Sequence, residues 1–173
     1  MPGVRNHEIT LSEFALMCKS YLEQNEQNVA CSKICGFMRK ALLNQRFLKH
    51  CFGNANWTGR KVLYEDDQLG FCILGHINSG LKSVAPHNHG PTWAIYGQAA
   101  GQTVMTEWES VLSGQKATVN KVKEIKTYTL NPGDVNYYPA GSIHSVIRRE
   151  QGRLLRLEGQ NIDRVGKQFF EPV

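Results

Sequence analysis

From Trp57 onward the chain breaks into short apolar runs of strand length, each closed by Gly, Pro, Asn or Asp, and this cadence limits the fold more than any other feature. The runs are KVLYE, GFCILGHI, TWAIYGQAAG, TVMTEWESVL, KEIKTYTL, DVNYYPA, HSVIRRE and RLLRLEG, with EDDQLG, NSG, SGQK, NPGD and PAGS between them. About eight strands at such spacing predict a β-sandwich or barrel. The preceding residues read differently. TLSEFALMCKSYLEQNEQ places Leu11, Phe14, Ala15, Cys18, Tyr21 and Leu22 on one helix face behind Thr10 or Ser12 as N-cap. VACSKICGFMRKALLNQRFLKHCF predicts one or two further helices, with Gly36 as a break. A length of 173 residues suits a single domain. The expected architecture is mainly β, with a helical N-terminal cap over residues 1–56 and a barrel over 57–173.

Composition narrows the function. The net charge of +5 is spread along the chain. Its one loose cluster, Lys116, Lys121, Lys123 and Lys126, has Glu124 inside it and no aromatic stacking platform, so no nucleic-acid partner is expected. No run approaches the ~20 apolar residues of a membrane span, and MPGVRNHEIT lacks the build of a signal peptide, which makes the cytoplasm the expected location. Five scattered cysteines suit reduced thiols. Cys31 and Cys35 with His50 and Cys51 form a conceivable zinc set, but packing on a helix explains them more simply.

APHNHGPTWAIYG carries His87 and His89 two residues apart, a spacing that puts both side chains on one face of a strand. NPGDVNYYPAGSIHSVIR supplies a third histidine, His144, after two turns. Together these segments resemble the two signature motifs of the cupin superfamily. In the second, Gly133, Pro139, Gly141 and His144 stand at the expected intervals. The resemblance implies a cupin double-stranded β-helix, a jelly-roll barrel, with His87, His89 and His144 converging on one metal ion inside it. His7, His50 and His76 read as ordinary surface or core histidines. Many cupins add an acidic ligand after the pair, but Gly90, Pro91, Thr92, Trp93 and Ala94 occupy that stretch here. Three neutral imidazoles leave a divalent ion its full charge. Such a set suits Fe(II) with an anionic chelating substrate and dioxygen, or Zn(II) with an activated water.

Among cupins, the order of elements is most similar to the cysteine dioxygenase and thiol dioxygenase family, from RKVLYEDDQLGFCILGHINSGLKSVAPHNHGPTWAIYG to GSIHSVIRREQGRLLRLEGQNI. The resemblance implies an iron-dependent oxidoreductase that converts a small thiol, such as cysteine or mercaptopropionate, to a sulfinate with dioxygen. It implies Fe(II), with Zn, Mn or Ni as other occupants, no organic cofactor, and a monomer or homodimer. Arg60 or Lys61 matches the family's carboxylate-binding arginine, and Trp93 is expected at the pocket wall or in the core. The family's outer-sphere serine, histidine and tyrosine are replaced by Leu154, Arg156 and Glu158, and Ala94 replaces the cysteine that some members cross-link to that tyrosine. Alternation puts Arg156 and Glu158 on one face. Either they form an ion pair, or Arg156 binds a substrate carboxylate and Glu158 acts as a base or approaches the metal. This departure keeps two alternatives open: a metal-dependent lyase, isomerase or hydrolase using Glu158 as base, and a non-catalytic ligand-binding cupin. Glu107 and Glu109, flanking Trp108, are expected to face solvent.

Overall fold

Thr10 sets the start of the first helix. Its hydroxyl accepts the Glu13 amide at 3.2 Å while the Glu13 carboxylate accepts the Thr10 amide at 2.8 Å, a reciprocal capping box that selects Thr10 over Ser12. The computed structural model describes residues 9–53, 56–111 and 120–173. The expected SGQK turn, Leu112, His7 and Lys116 lie outside these. Three helices form the N-terminal layer: α1 (Leu11–Gln24), α2 (Gln27–Leu42) and α3 (Gln45–Phe52). Gly36 does not break the second helix. The chain turns instead at Asn44, whose side chain accepts the amides of Arg46 and Phe47 and so caps α3. An interior glycine costs a helix only about 1 kcal/mol. The buried face of α2, with Ile34, Cys35 and Met38, outweighs that.

The strands are β1 (Gly59–Glu65), β2 (Cys72–Asn78), β3 (Lys82–Asn88), β4 (Ala94–Ala100), β5 (Thr103–Ser110), β6 (Lys121–Leu130), β7 (Val135–Tyr138), β8 (Ile143–Arg148) and β9 (Gly152–Glu158). A short helix α4 (Ile162–Val165) and two short strands, β10 (Gln168–Phe169) and β11 (Glu171–Pro172), complete the chain. They make two sheets, β1-β2-β9-β4-β7 and β10-β3-β8-β5-β6-β11, antiparallel throughout except where β11 joins β6. This is a double-stranded β-helix with an N-terminal helical cap. Gly133 and Gly141, with φ of 94° and 80°, take the left-handed conformation at the turns flanking β7 and so deliver β8 to its place.

The first sheet is buried on both faces. Ile73, Ile95, Leu155 and Leu157 point to the helices and share a core with Phe14, Ile34 and Met38. The alternate residues Ala94, Tyr96 and Leu154 point into the barrel and meet Tyr138 of the same sheet and Met105 and Val146 of the facing strands. Sheet and helix approach closely: a Cβ at Gly97 would lie 2.6 Å from Met38 Cε and 2.8 Å from Leu42 Cδ1. Cys18, Cys31, Cys35 and Cys51 belong to the helix-facing core, and burial raises the Cys31 and Cys51 thiols to about 12 and Cys35 to about 11. His50 is exposed, and no metal-ligating group involving these cysteines forms among the described residues. Met38→Ala is expected to lower unfolding stability in urea by about 2–5 kcal/mol while leaving metal content per chain unchanged. Loss of metal together with stability would show that the two cores are not separate.

Candidate metal centre

Strand β3 departs from the apolar cadence, carrying Lys82 at its start and Pro86 before the first histidine. Its pairing with β8 shifts register between Val84 and His87, and beyond that irregularity His87 stands directly opposite His144. His89 follows just past the strand end. The three rings are 2%, 3% and 0% exposed for His87, His89 and His144, and one nitrogen from each lies within 4.8 Å of the others. His87 Nδ1 lies 2.9 Å from the Ala85 carbonyl oxygen. A carbonyl only accepts, so Nδ1 holds the proton and Nε2 keeps its lone pair for a cation.

Burial keeps all three imidazoles neutral. It lowers His87 to about 4, where the Ala85 carbonyl partly offsets it. It lowers His89 much further, with Arg156 as the second cause, and lowers His144 well below the ordinary range, with His87 as the second cause. A converging set of desolvated, neutral nitrogen donors fits a divalent transition metal. Tyr96 Oη lies 3.4 Å from His89 Nε2 and 3.3 Å from His144 Nε2, and Arg156 Nη2 donates to His89 Nε2 at 3.2 Å. Positive charge is thus already directed at the His89 Nε2 lone pair, and the Tyr96 hydroxyl lies within hydrogen-bond reach of both ring nitrogens.

Arg156 and Glu158 project inward from β9, 4% and 0% exposed. The Arg156 guanidinium lies over the Tyr96 ring, 4.9 Å from its centroid, and forms an ion pair with Glu158 Oε1. The other oxygen of Glu158 accepts from Arg60 Nη2 and the Ile162 amide, both at 3.1 Å, and from Cys72 Sγ at 3.8 Å. Arg60 also holds Asn161 Oδ1 at 2.8 Å and pairs with Asp163. Of the two cations at the start of β1, therefore, Arg60 joins the cluster. Lys61 is exposed and lies 5.8 Å over the Trp57 ring on the other side of the strand.

Trp93 packs in the helix-facing core, opposite to the face that carries Tyr96, and its indole lies against Gly159 rather than lining the histidine pocket. Glu107 departs from expectation only in part, since one carboxylate oxygen pairs at the surface with exposed Lys126 at 3.3 Å while the other turns inward. It stands across from His144 and accepts the Tyr128 hydroxyl at 2.8 Å, and Tyr128 in turn bonds Tyr138 at 2.7 Å. Tyr138 lies 4.7 Å from the His144 ring centroid. Glu109 does face solvent, paired with Lys123. Tyr96 and Cys72 are residues that sequence reasoning passed over. Alternation from Ala94 would have pointed to Tyr96, two positions along on the same face.

No protein-family model and no curated protein matches the chain. Among solved structures, an oxalate oxidase in complex with glycolate is similar at 16% identity and TM-score 0.49, over 69% of this chain and 61% of that one. A protein with a double-stranded β-helix domain from Klebsiella pneumoniae gives 13% and 0.46, over 68% and 83% of the two chains. A cupin-2 domain protein from Shewanella frigidimarina gives 15% and 0.45, over 69% and 96%. The present chain thus spans less than two thirds of the oxalate oxidase. The strand order and the register carry the fold assignment: this is a double-stranded β-helix barrel with a three-histidine group fit to hold a metal ion. No helix among the described residues is long and apolar enough to cross a membrane.

His87→Ala and His144→Ala are each expected to abolish metal retention, measured as metal per chain after loading and desalting, whereas His50→Ala retains it. Stability should also report the neutral triad. Below pH ~6.5 an unfolded histidine takes up a proton that the folded, metal-free site refuses, so stability is lost as pH falls toward the folded value of about 4 for His87. His87 alone should cost roughly 2 kcal/mol by pH 5. Melting temperatures of metal-free protein should fall between pH 7 and 5. A flat profile would contradict the account.

Proposed function

We propose that the protein is a mononuclear non-haem Fe(II) dioxygenase that oxidises a small carboxylated thiol to its sulfinate. The observation that carries this reading is a neutral three-histidine cluster with a buried guanidinium 3.2 Å from one of its ring nitrogens. Bound Fe(II) would supply open coordination positions for the substrate thiol and dioxygen. The overall change is RSH + O2 → RSO2H, in which both oxygen atoms enter the product, sulfur is oxidised by four electrons, and no external reductant is needed.

The chain's own groups have distinct parts. Arg156, inside the barrel beside His89, takes the substrate carboxylate with its N–H donors. Glu158 holds Arg156 in place and is itself fixed by Arg60, the Ile162 amide and Cys72. These contacts leave Glu158 poorly suited to act as a base, so the alternative of a Glu158-driven lyase, isomerase or hydrolase has less support. Tyr96, with its hydroxyl between His89 and His144, orients the reacting group by hydrogen bonding and can return a proton to it. The apolar walls Leu154, Val146 and Met105 exclude water around these polar atoms.

The test is dioxygen uptake by anaerobically Fe(II)-loaded protein with cysteine, 3-mercaptopropionate and cysteamine. The carboxylated thiols are expected to be consumed with sulfinate as product, and cysteamine poorly. Arg156→Gln is expected to reduce kcat/KM for the carboxylated thiols by about 10–100-fold, mostly through KM, as loss of a charged hydrogen bond requires. Iron bound without uptake for any thiol would overturn the proposal.

A further inference from the structure

The barrel has a second polar concentration at its other end. His144 and Arg148 lie on the inward face of the same strand, four residues and therefore about 13 Å apart. Around Arg148 is a cavity of about 230 Å³ lined by His76, Lys82, Thr58 and Ser79 among others, and every charged or titratable residue of that lining is basic. Arg148 is only 9% exposed. Its guanidinium makes no hydrogen bond or ion pair with any described residue, and its Nε is buried without a partner. His76 Nε2 is likewise buried and unpartnered. Lys82 pairs directly across the sheet from Arg148, a like-charge apposition that costs stability on its own. Glu150, exposed, shares a small adjoining crevice with Arg148 and His76 but forms no ion pair with Arg148 or Lys82.

An unpaired buried guanidinium is expensive, and Arg148 is one, with the exposed Lys82 beside it and no carboxylate paired to either. The contrast with the metal end is informative, because there Arg60 and Arg156 both have Glu158 as a partner. Burial lowers His76 well below the ordinary imidazole range, and Arg156, Arg148, Arg60 and Lys82 add to that, so the surplus positive potential extends across the cavity. Thr58, Ile77, Asn78 and Ser79 also form a wall of an adjoining cavity of about 590 Å³ beside Trp57 and Arg153, large enough for the rest of a metabolite.

We propose that this cavity is a ligand site separate from the histidine cluster, binding a small oxyanion, the phosphate or carboxylate group of a metabolite, between Arg148, Lys82 and His76. The anion supplies the negative charge that Arg148 and Lys82 lack and accepts the free donors of the cavity, with the Thr58 and Ser79 hydroxyls available to complete its coordination.

The test is calorimetric titration of metal-loaded protein, at constant ionic strength, with sulfate as a tetrahedral phosphate mimic and with acetate as the carboxylate. One anion is expected to bind per chain, and the tighter of the two identifies the ligand class. Lys82→Glu, a surface change that keeps the fold intact, is expected to weaken binding at least 10-fold, and Arg148→Met to remove it. His144→Ala, which is expected to retain no metal, should leave it unchanged, because the anion does not sit at the histidine cluster. No saturable binding of either anion, binding that survives Lys82→Glu, or binding lost in His144→Ala would overturn the proposal. If Arg148→Met does not fold, Lys82→Glu and His144→Ala decide the matter alone.

Discussion

Strand β9 is held between the helices on one side and the barrel interior on the other, and most of the molecule is arranged around that two-sided burial. Leu155 and Leu157 anchor the helical layer, while Leu154, Arg156 and Glu158 occupy the interior. Placing two charges there would be prohibitive without partners. The fold supplies them from three directions: Arg60 crosses from β1, the Ile162 amide comes from the start of α4, and Tyr96 offers its ring face from the adjacent β4. The segment after β9 is tied to the same point, since Asn161 caps α4 and also accepts from Arg60.

The electrostatics of the histidine cluster follow from this arrangement. Two guanidiniums share the buried Glu158 carboxylate, and Arg60 is matched in addition by the exposed Asp163, so these ion pairs balance before a metal is considered. Burial strips the imidazoles of their protons, which keeps them from adding positive charge. A divalent ion held by three neutral imidazoles would keep its full charge and so would favour ligands that bring negative charge.

Much of this was legible in the sequence, and the failures have a common cause. The turn residues Gly133, Pro139, Gly141 and the three histidines are local signals, and they locate the barrel and the histidine cluster inside it. Period-two alternation correctly put Arg156 and Glu158 together. Alternation does not say which face of a doubly buried strand is the functional one, so pocket wall and core both stayed open for Trp93, which packs under the helices, and Tyr96 on the opposite face goes unmarked in the sequence. The choice between Arg60 and Lys61 was open for the same reason. Glu107 misled because an acidic residue beside a surface strand usually faces water, and the tyrosine that turns it inward, Tyr128, comes from the neighbouring strand. Gly36 misled because tertiary burial of α2 overrides a weak local preference.

In the proposed metal site the three buried imidazoles, and no other side chain, form the protein's share of the coordination sphere. X-ray absorption at the edge of the bound metal, on protein loaded anaerobically and free of added thiol, tests it most directly. The account predicts three imidazole ligands completed by light atoms from solvent, with no sulfur. Fewer than three imidazoles, or a sulfur scatterer contributed by Cys72, would contradict it.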